Sequence, residues 1–287
     1  MSEKTEKGEK NKRVGTGVEG LDPLIQNGFL PGKSYVVTGD AGTGKTTACL
    51  QFLLKGLTSG EKAVYVTVDE RPTDLLDSAA SLGWDLQSFV QDKNLVILDA
   101  APYFSTRAGP VKEREVDVQR IVTDLASHIT RMEAKRLAID PVGPLIKADT
   151  PSGRSEEQAR LLIRLLQTQL QTTNMLSSGR TEDESSSVEE FLAAGVLSLR
   201  MFRQSDRFVR TLWIKKMRGT AVVPTEYEFN ITKGKGIVLL SPYIESAAAV
   251  QPAAENGHRP PQTNGSAPTV EDSGSILQPF EPEKASK

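Results

Sequence analysis

The sequence predicts an α/β fold: a mostly parallel sheet flanked by helices, with antiparallel β-hairpins added towards the C-terminal end. Three observations carry this. Strand-like and helix-like segments alternate from Ser34 to Leu176, the pattern of a parallel sheet whose crossovers are helices. A glycine-rich loop, Gly39-Asp40-Ala41-Gly42-Thr43-Gly44-Lys45-Thr46, separates the first strand from the first helix. From Val196 onward the alternation stops, and pairs of strand-like runs are joined by short polar turns.

The elements follow in order. Ser34–Thr38 is a short β-branched run leading into the glycine loop, and Thr46–Leu57 is helix-like with apolar Phe52 and Leu53. Lys62–Val68 is a second strand, and Pro72 and Thr73 open a helix over Asp74–Leu82. Leu95–Leu98 is a third strand. Ile121, Leu125 and Ile129 recur at helical spacing within Val116–Met132. Arg136–Ile139 is a fourth strand ending in Asp140, Glu156–Gln171 a leucine-rich helix, and Asn174–Leu176 a weak strand. Val196–Phe202 and Phe208–Lys216 flank the turn Gln204–Asp206; Tyr227–Ile231 and Gly236–Leu240 flank Lys233–Lys235. Residues 1–13 form a charged arm without periodicity, expected to be disordered, 14–245 the folded domain, and 246–287 a tail rich in Ala, Pro, Asn, Ser and Glu.

Composition excludes several classes of function. A net charge of −2 gives no electrostatic argument for nucleic acid or an anionic membrane. The single cysteine, Cys49, rules out an internal disulfide and a zinc ribbon, and is expected to be buried. His128 and His258 are the only histidines, so a His-rich metal site is excluded. No apolar run approaches the ~20 residues that span a bilayer, and the charged N-terminus is no signal peptide. The expected location is the cytoplasm.

The loop Gly39–Thr46 fits G-x-x-x-x-G-K-[ST]. Its glycines let backbone N–H groups turn towards phosphate oxygens, and the positive end of the next helix faces the same anion. Lys45 is placed to reach β- and γ-phosphates and counts among the catalytic residues, Thr47 in the loop helix ends the nucleotide-binding set that starts at Gly39, and the Thr46 hydroxyl is a Mg²⁺ ligand. Average residue frequencies put this pattern in about one chain in a hundred of this length. Here it also has a strand before it and an apolar helix after it.

Hydrolysis needs two more kinds of group. A carboxylate must hold the Mg²⁺ shell, and Asp140 ends an apolar strand, the edge where ligands sit in open α/β sheets. A second group must orient or deprotonate water. Asp69 and Glu70 end the strand after the loop helix. Neighbours on a strand point to opposite faces, which favours one of them, Glu70, as the group that addresses water.

These residues resemble the KaiC-like branch of the RecA-type ATPases. The likeness lies in Thr16-Gly17-Val18-Glu19-Gly20-Leu21-Asp22, the loop itself, VTVDERP, Gly83-Trp84-Asp85-Leu86, Asp140, Val188-Glu189-Glu190-Phe191 and Lys216-Met217-Arg218-Gly219-Thr220. It runs from about Arg13 to Leu240 and covers one such domain. The resemblance implies a RecA-like core, ATP rather than GTP, and a homo-oligomeric ring, often a hexamer, with ATP between subunits. It implies catalytic roles for Asp69 and Glu70, where the family's usual pair is Glu-Glu. It also implies that Lys216 and Arg218 reach the nucleotide of a neighbouring subunit. On their own, Lys215, Lys216 and Arg218 read as a solvated basic strand end. Ser177-Ser178-Gly179 departs from the Thr/Ser pair followed by Glu that relatives commonly carry. Glu190 and Phe191 stand where the clock protein's second domain is autophosphorylated, and neither can accept a phosphate, so no autokinase activity is expected there.

The leading expectation is a slow regulatory or signalling ATPase ring with an unidentified protein partner; Ile276–Phe280 in the tail is a candidate partner motif. A recombination or repair accessory ATPase is the alternative, with DNA the less favoured partner. A nucleotide-binding switch that barely hydrolyses is the third.

Overall fold

The structure is a computed structural model and describes residues 13–101, 118–147, 152–179 and 187–244. The tail, its Ile276–Phe280 stretch and residues 1–12 of the arm lie outside these. Arg13, assigned to the end of the arm, is anchored in the body: its guanidinium donates to the Gly28 carbonyl at 3.1 Å and to the Thr220 hydroxyl at 2.7 Å.

The described residues contain nine strands: β1 (Ser34–Gly39), β2 (Ala63–Thr67), β3 (Leu95–Asp99), β4 (Arg136–Asp140), β5 (Thr173–Gly179), β6 (Gly195–Gln204), β7 (Arg207–Met217), β8 (Glu226–Thr232) and β9 (Gly236–Pro242). They form one sheet in the order β3-β2-β4-β5-β1-β6-β7-β8-β9. Pairing is parallel from β3 through β6 and antiparallel from β6 through β9, as the sequence predicts. The helices are α1 (Lys45–Leu57), α2 (Pro72–Ser81), α3 (Leu86–Gln91), α4 (Val118–Met132), α5 (Gly143–Lys147), α6 (Ser152–Gln169) and α7 (Val188–Leu192). Among the described residues no helix is long and apolar enough to cross a membrane.

Alternation along the strands builds two cores. On β1, Tyr35 and Val37 face a core shared with α1, α2, α3 and one face of the hairpins. Val36 faces the opposite core, shared with α4, α5, α6 and α7. All six residues of β1 are buried, which suits the strand that launches the glycine loop.

Local signals and tertiary context part company at four places. β5 is seven residues long and central, although Asn174–Leu176 alone looks strand-like. Its polar residues are paired: Asn174 accepts from the Thr172 hydroxyl at 2.6 Å and donates to the Ser34 hydroxyl at 3.1 Å. Pairing with β1 and β4 on both edges overrides weak propensity. Helices α3, α5 and α7 are five or six residues long, too short to show a 3.6-residue period.

Helix α1 is fixed by two buried polar side chains. Gln51 donates through Nε2 to the carbonyls of Gly17 (2.7 Å), Lys235 (2.8 Å) and Ile237 (3.0 Å), and accepts from the Ile237 N–H at 2.8 Å. It thus ties the N-terminal segment and the β8–β9 turn to the loop helix. Arg136 at the start of β4 donates to the Phe52 carbonyl (2.8 Å) and the Gly15 carbonyl (2.7 Å), and pairs with Glu61 at 2.5 Å. Gln51→Leu removes the amide and leaves those carbonyls and the Ile237 N–H without it. The expected loss is about 2–4 kcal/mol, read as a lower urea midpoint for the nucleotide-free chain.

Candidate functional site

At the C-terminal edge of β1 the chain turns through Gly39–Gly44 into α1. A Cβ on Gly39 would lie 2.5 Å from the Leu199 carbonyl oxygen and 2.8 Å from Thr43 Oγ1, so only glycine fits between β6 and the loop. Gly44 precedes α1 at φ +108 and provides no side-chain cap, which leaves the first-turn N–H groups for another acceptor. The buried Thr43 hydroxyl donates to the Asp40 carbonyl at 2.9 Å and closes the loop on itself. Lys45 Nζ donates to the carbonyls of Gly39 and Asp40, both at 2.8 Å. Burial lowers the Lys45 pKa, and the charges of Asp140 and Asp40 oppose that shift.

This loop is one wall of a cavity of about 540 Å³, lined by Gly39, Asp40, Ala41, Lys45, Thr46, Asp69, Glu70, Asp140, Pro141 and Gly179. The structure therefore gathers the predicted lysine, the Thr46 hydroxyl and all three predicted carboxylates in one place. Gly42, Thr43, Gly44 and Thr47 are not among the lining residues. A Cβ on Gly44 would lie 3.0 Å from Ile231 Cδ1, and one on Gly42 3.9 Å from Met201 Cε.

Strand alternation does not separate Glu70 from Asp69. Strand β2 ends at Thr67, and Asp69 and Glu70 occupy a bend beyond it, so both reach the cavity. The Thr67 hydroxyl donates to the Glu70 carbonyl at 2.6 Å and fixes that bend. What distinguishes Glu70 is electrostatic: burial first, then the charges of Asp140 and Asp74, raise its carboxyl pKa above the ordinary glutamate value.

Two residues that sequence reasoning did not assign to the site hold Asp140. The Tyr65 hydroxyl donates to Oδ2 at 2.6 Å, and the Ser177 hydroxyl donates to Oδ1. Burial, followed by the Asp140 charge, pushes the Tyr65 phenol well above its ordinary pKa, so it remains a donor. Tyr65 was legible only as a core strand residue. Ser177 belongs to the Ser177-Ser178-Gly179 departure, whose polar residues prove to be engaged: Ser178 donates to Glu189 Oε1 at 2.7 Å. Cys49 is buried as expected, and burial raises its thiol pKa, so it stays protonated.

Lys216 and Arg218 do not line this cavity. Met217 pairs with Gly195, and the Arg218 N–H bonds the Ala194 carbonyl at 2.7 Å, level with the N-terminal end of β1. Their side chains converge on α7, on the sheet face opposite α1. Lys216 Nζ donates to the carbonyls of Glu190 (3.0 Å) and Phe191 (2.5 Å), and Arg218 donates to the Phe191 carbonyl at 2.9 Å. Burial and the neighbouring Arg218 lower the Lys216 pKa. Beside them Phe191 is 61% exposed.

Among the described residues no group of three or more His, Cys, Asp or Glu side chains could hold a metal alone. The donor set at the cavity is one hydroxyl and carboxylates. That suits Mg²⁺, which keeps waters and shares its shell with phosphate oxygens.

Fold and cavity together define a RecA-like phosphate-loop nucleotide-binding protein. A family model for the KaiC ATPase matches residues 14–243. The chain belongs to the KaiC family of ATPases. The circadian clock oscillator protein KaiC of Acaryochloris marina is 34% identical over 236 residues, covering 79% of this chain and 44% of that protein. The one of Synechococcus elongatus is 34% identical over 226 residues, covering 77% and 43%. The chain thus spans less than half the length of these curated relatives. A crystal structure of a KaiC-like protein from the archaeon Pyrococcus horikoshii matches with a TM-score of 0.69 at 30% identity, over 80% of this chain and 99% of that one.

Because like charges raise the Glu70 pKa, removing one must lower it. In ¹³C NMR titrations the Glu70 carboxyl is expected to titrate above the ordinary glutamate value, and Asp74→Asn to move its midpoint down.

Proposed function

We propose that this chain is a Mg²⁺-dependent ATP hydrolase that works as a homo-oligomeric ring, hexameric as the family resemblance implies, with a slow, regulatory turnover in the cytoplasm. One observation carries the reading. A cavity holds a phosphate loop and three carboxylates, while the cations suited to γ-phosphate charge stand on the far face of the same sheet. They fit the cavity of a second copy rather than their own.

In this reading Lys45 exchanges the Gly39 and Asp40 carbonyls for β- and γ-phosphate oxygens. Thr46 and Asp140 hold the metal shell, with Tyr65 and Ser177 fixing Asp140. When bound, Mg²⁺ neutralises charge on the phosphate oxygens. Glu70 accepts a proton from water as the water oxygen bonds to the γ-phosphorus and the bond to the β-phosphate oxygen breaks. Asp69 supports the same end of the cavity. Lys216 and Arg218 of the neighbouring copy stabilise the charge that spreads over the γ-phosphoryl group. Glu190 and Phe191 carry no hydroxyl, so no autokinase activity is proposed there. The clock-oscillator relatives support a regulatory role, exercised through a protein partner, over DNA repair.

Glu70→Gln is expected to bind ATP normally but to turn over about a hundredfold or more slowly; equal rates in the native chain and the variant would sink the hydrolase reading. Light scattering in ATP and Mg²⁺ should report a ring, and a monomer would remove the roles of Lys216 and Arg218. Mixing Glu70→Gln subunits with Lys216→Ala/Arg218→Ala subunits should restore turnover that neither shows alone.

A further inference from the structure

The two cations are mounted on a buried acidic pair that the hydrolytic reading leaves unused. Glu189 and Glu190 are 2% and 5% exposed, on a helix of only five residues. Each reaches a different anchor. Glu189 Oε1 accepts from the Ser178 hydroxyl at 2.7 Å, which pins the helix to the C-terminal end of β5. Glu190 Oε2 pairs with Lys215 Nζ at 2.7 Å, which pins it to β7 immediately before Lys216. The carbonyls of Glu190 and Phe191 then receive Lys216, and that of Phe191 also receives Arg218. Burying two carboxylates is costly unless each is partnered. A five-residue helix has little stability of its own, so these partners set where its carbonyls lie.

We propose that Glu189 and Glu190 are positioning residues for the neighbouring subunit's reaction: they fix α7, and through its carbonyls they aim Lys216 and Arg218 out of the subunit. This rests on the ring reading above. Neither acid lines the cavity, and their effect is exerted on the next copy, not on their own cavity.

The test uses the 287-residue chain and the mixed rings described above, in ATP and Mg²⁺. Glu70→Gln subunits lend cations, and Lys216→Ala/Arg218→Ala subunits lend a cavity. Adding Glu189→Ala to the cation-lending subunit is expected to lower the restored kcat about tenfold or more, with KM within about twofold. Adding it to the cavity-lending subunit should leave the restored kcat within about twofold. Glu190→Ala should show the same asymmetry, and Glu190→Gln, which keeps an acceptor for Lys215, should recover part of the loss. Should an alanine variant fail to assemble, Glu189→Leu and Glu190→Leu, which keep side-chain volume but no acceptor, give the same comparison, and no loss from either placement also overturns the proposal. Equal loss from either placement means the acids support their own cavity or the fold, and overturns the proposal while leaving the ring reading intact. A starting mixture without activity overturns the ring reading and this proposal with it.

Discussion

The side-chain amide of Gln51 is the constraint on which the site depends. The phosphate loop has no rigid element of its own; its geometry is that of β1 at one end and α1 at the other. Strand β1 is held by pairing on both sides. Helix α1 is held in rotation and height by Gln51, whose amide joins Gly17, Lys235 and Ile237, segments separated by more than two hundred residues of chain. Arg136 does the same from β4 through the Phe52 carbonyl. The N-terminal T-G-V-E-G-L-D segment and the last hairpin thus clamp a helix that neither touches through catalytic residues.

Charge at the cavity follows a simple division. Asp140 is oriented by two neutral hydroxyls, Tyr65 and Ser177, which direct its oxygens without cancelling its charge. An arginine in either place would have fixed it as firmly and neutralised it. The uncancelled charge acts on the neighbours: it raises Glu70, raises Tyr65, and opposes the lowering of Lys45 by burial.

The fold was largely legible because its signals are local and strong. The glycine loop has required context on both sides, and the switch from helical spacing to paired strands at Val196 marks where the sheet turns antiparallel. What escaped has a common cause. The Thr173–Gly179 strand is polar, and only its two flanking strands make it one. The short helices at Leu86, Gly143 and Val188 fall below one clear period. At the site, the lysine, Thr46 and the three carboxylates were readable from motif and strand ends, whereas Tyr65 looked like core and Ser177 like a departure. Both act through contacts between residues far apart in sequence. The preference for Glu70 rests on an alternation rule that stops where the strand stops, and its raised pKa comes from burial first and then from the charge of Asp140, seventy positions downstream.

Ser177 and Ser178 are adjacent on β5 and so address opposite faces of the sheet, one holding the cavity's Asp140, the other the helix whose carbonyls receive Lys216 and Arg218. Cavity and cations are therefore unlike surfaces on opposite sides of each copy. A twofold axis joins one and the same patch of two copies, so it pairs cavity with cations only where a single patch holds both, and here they lie on opposite faces of the sheet. Only a head-to-tail arrangement joins one kind to the other, and it either closes into a cycle or continues as a filament. Such an assembly has an intrinsic sense of direction, with every copy upstream of one neighbour and downstream of another.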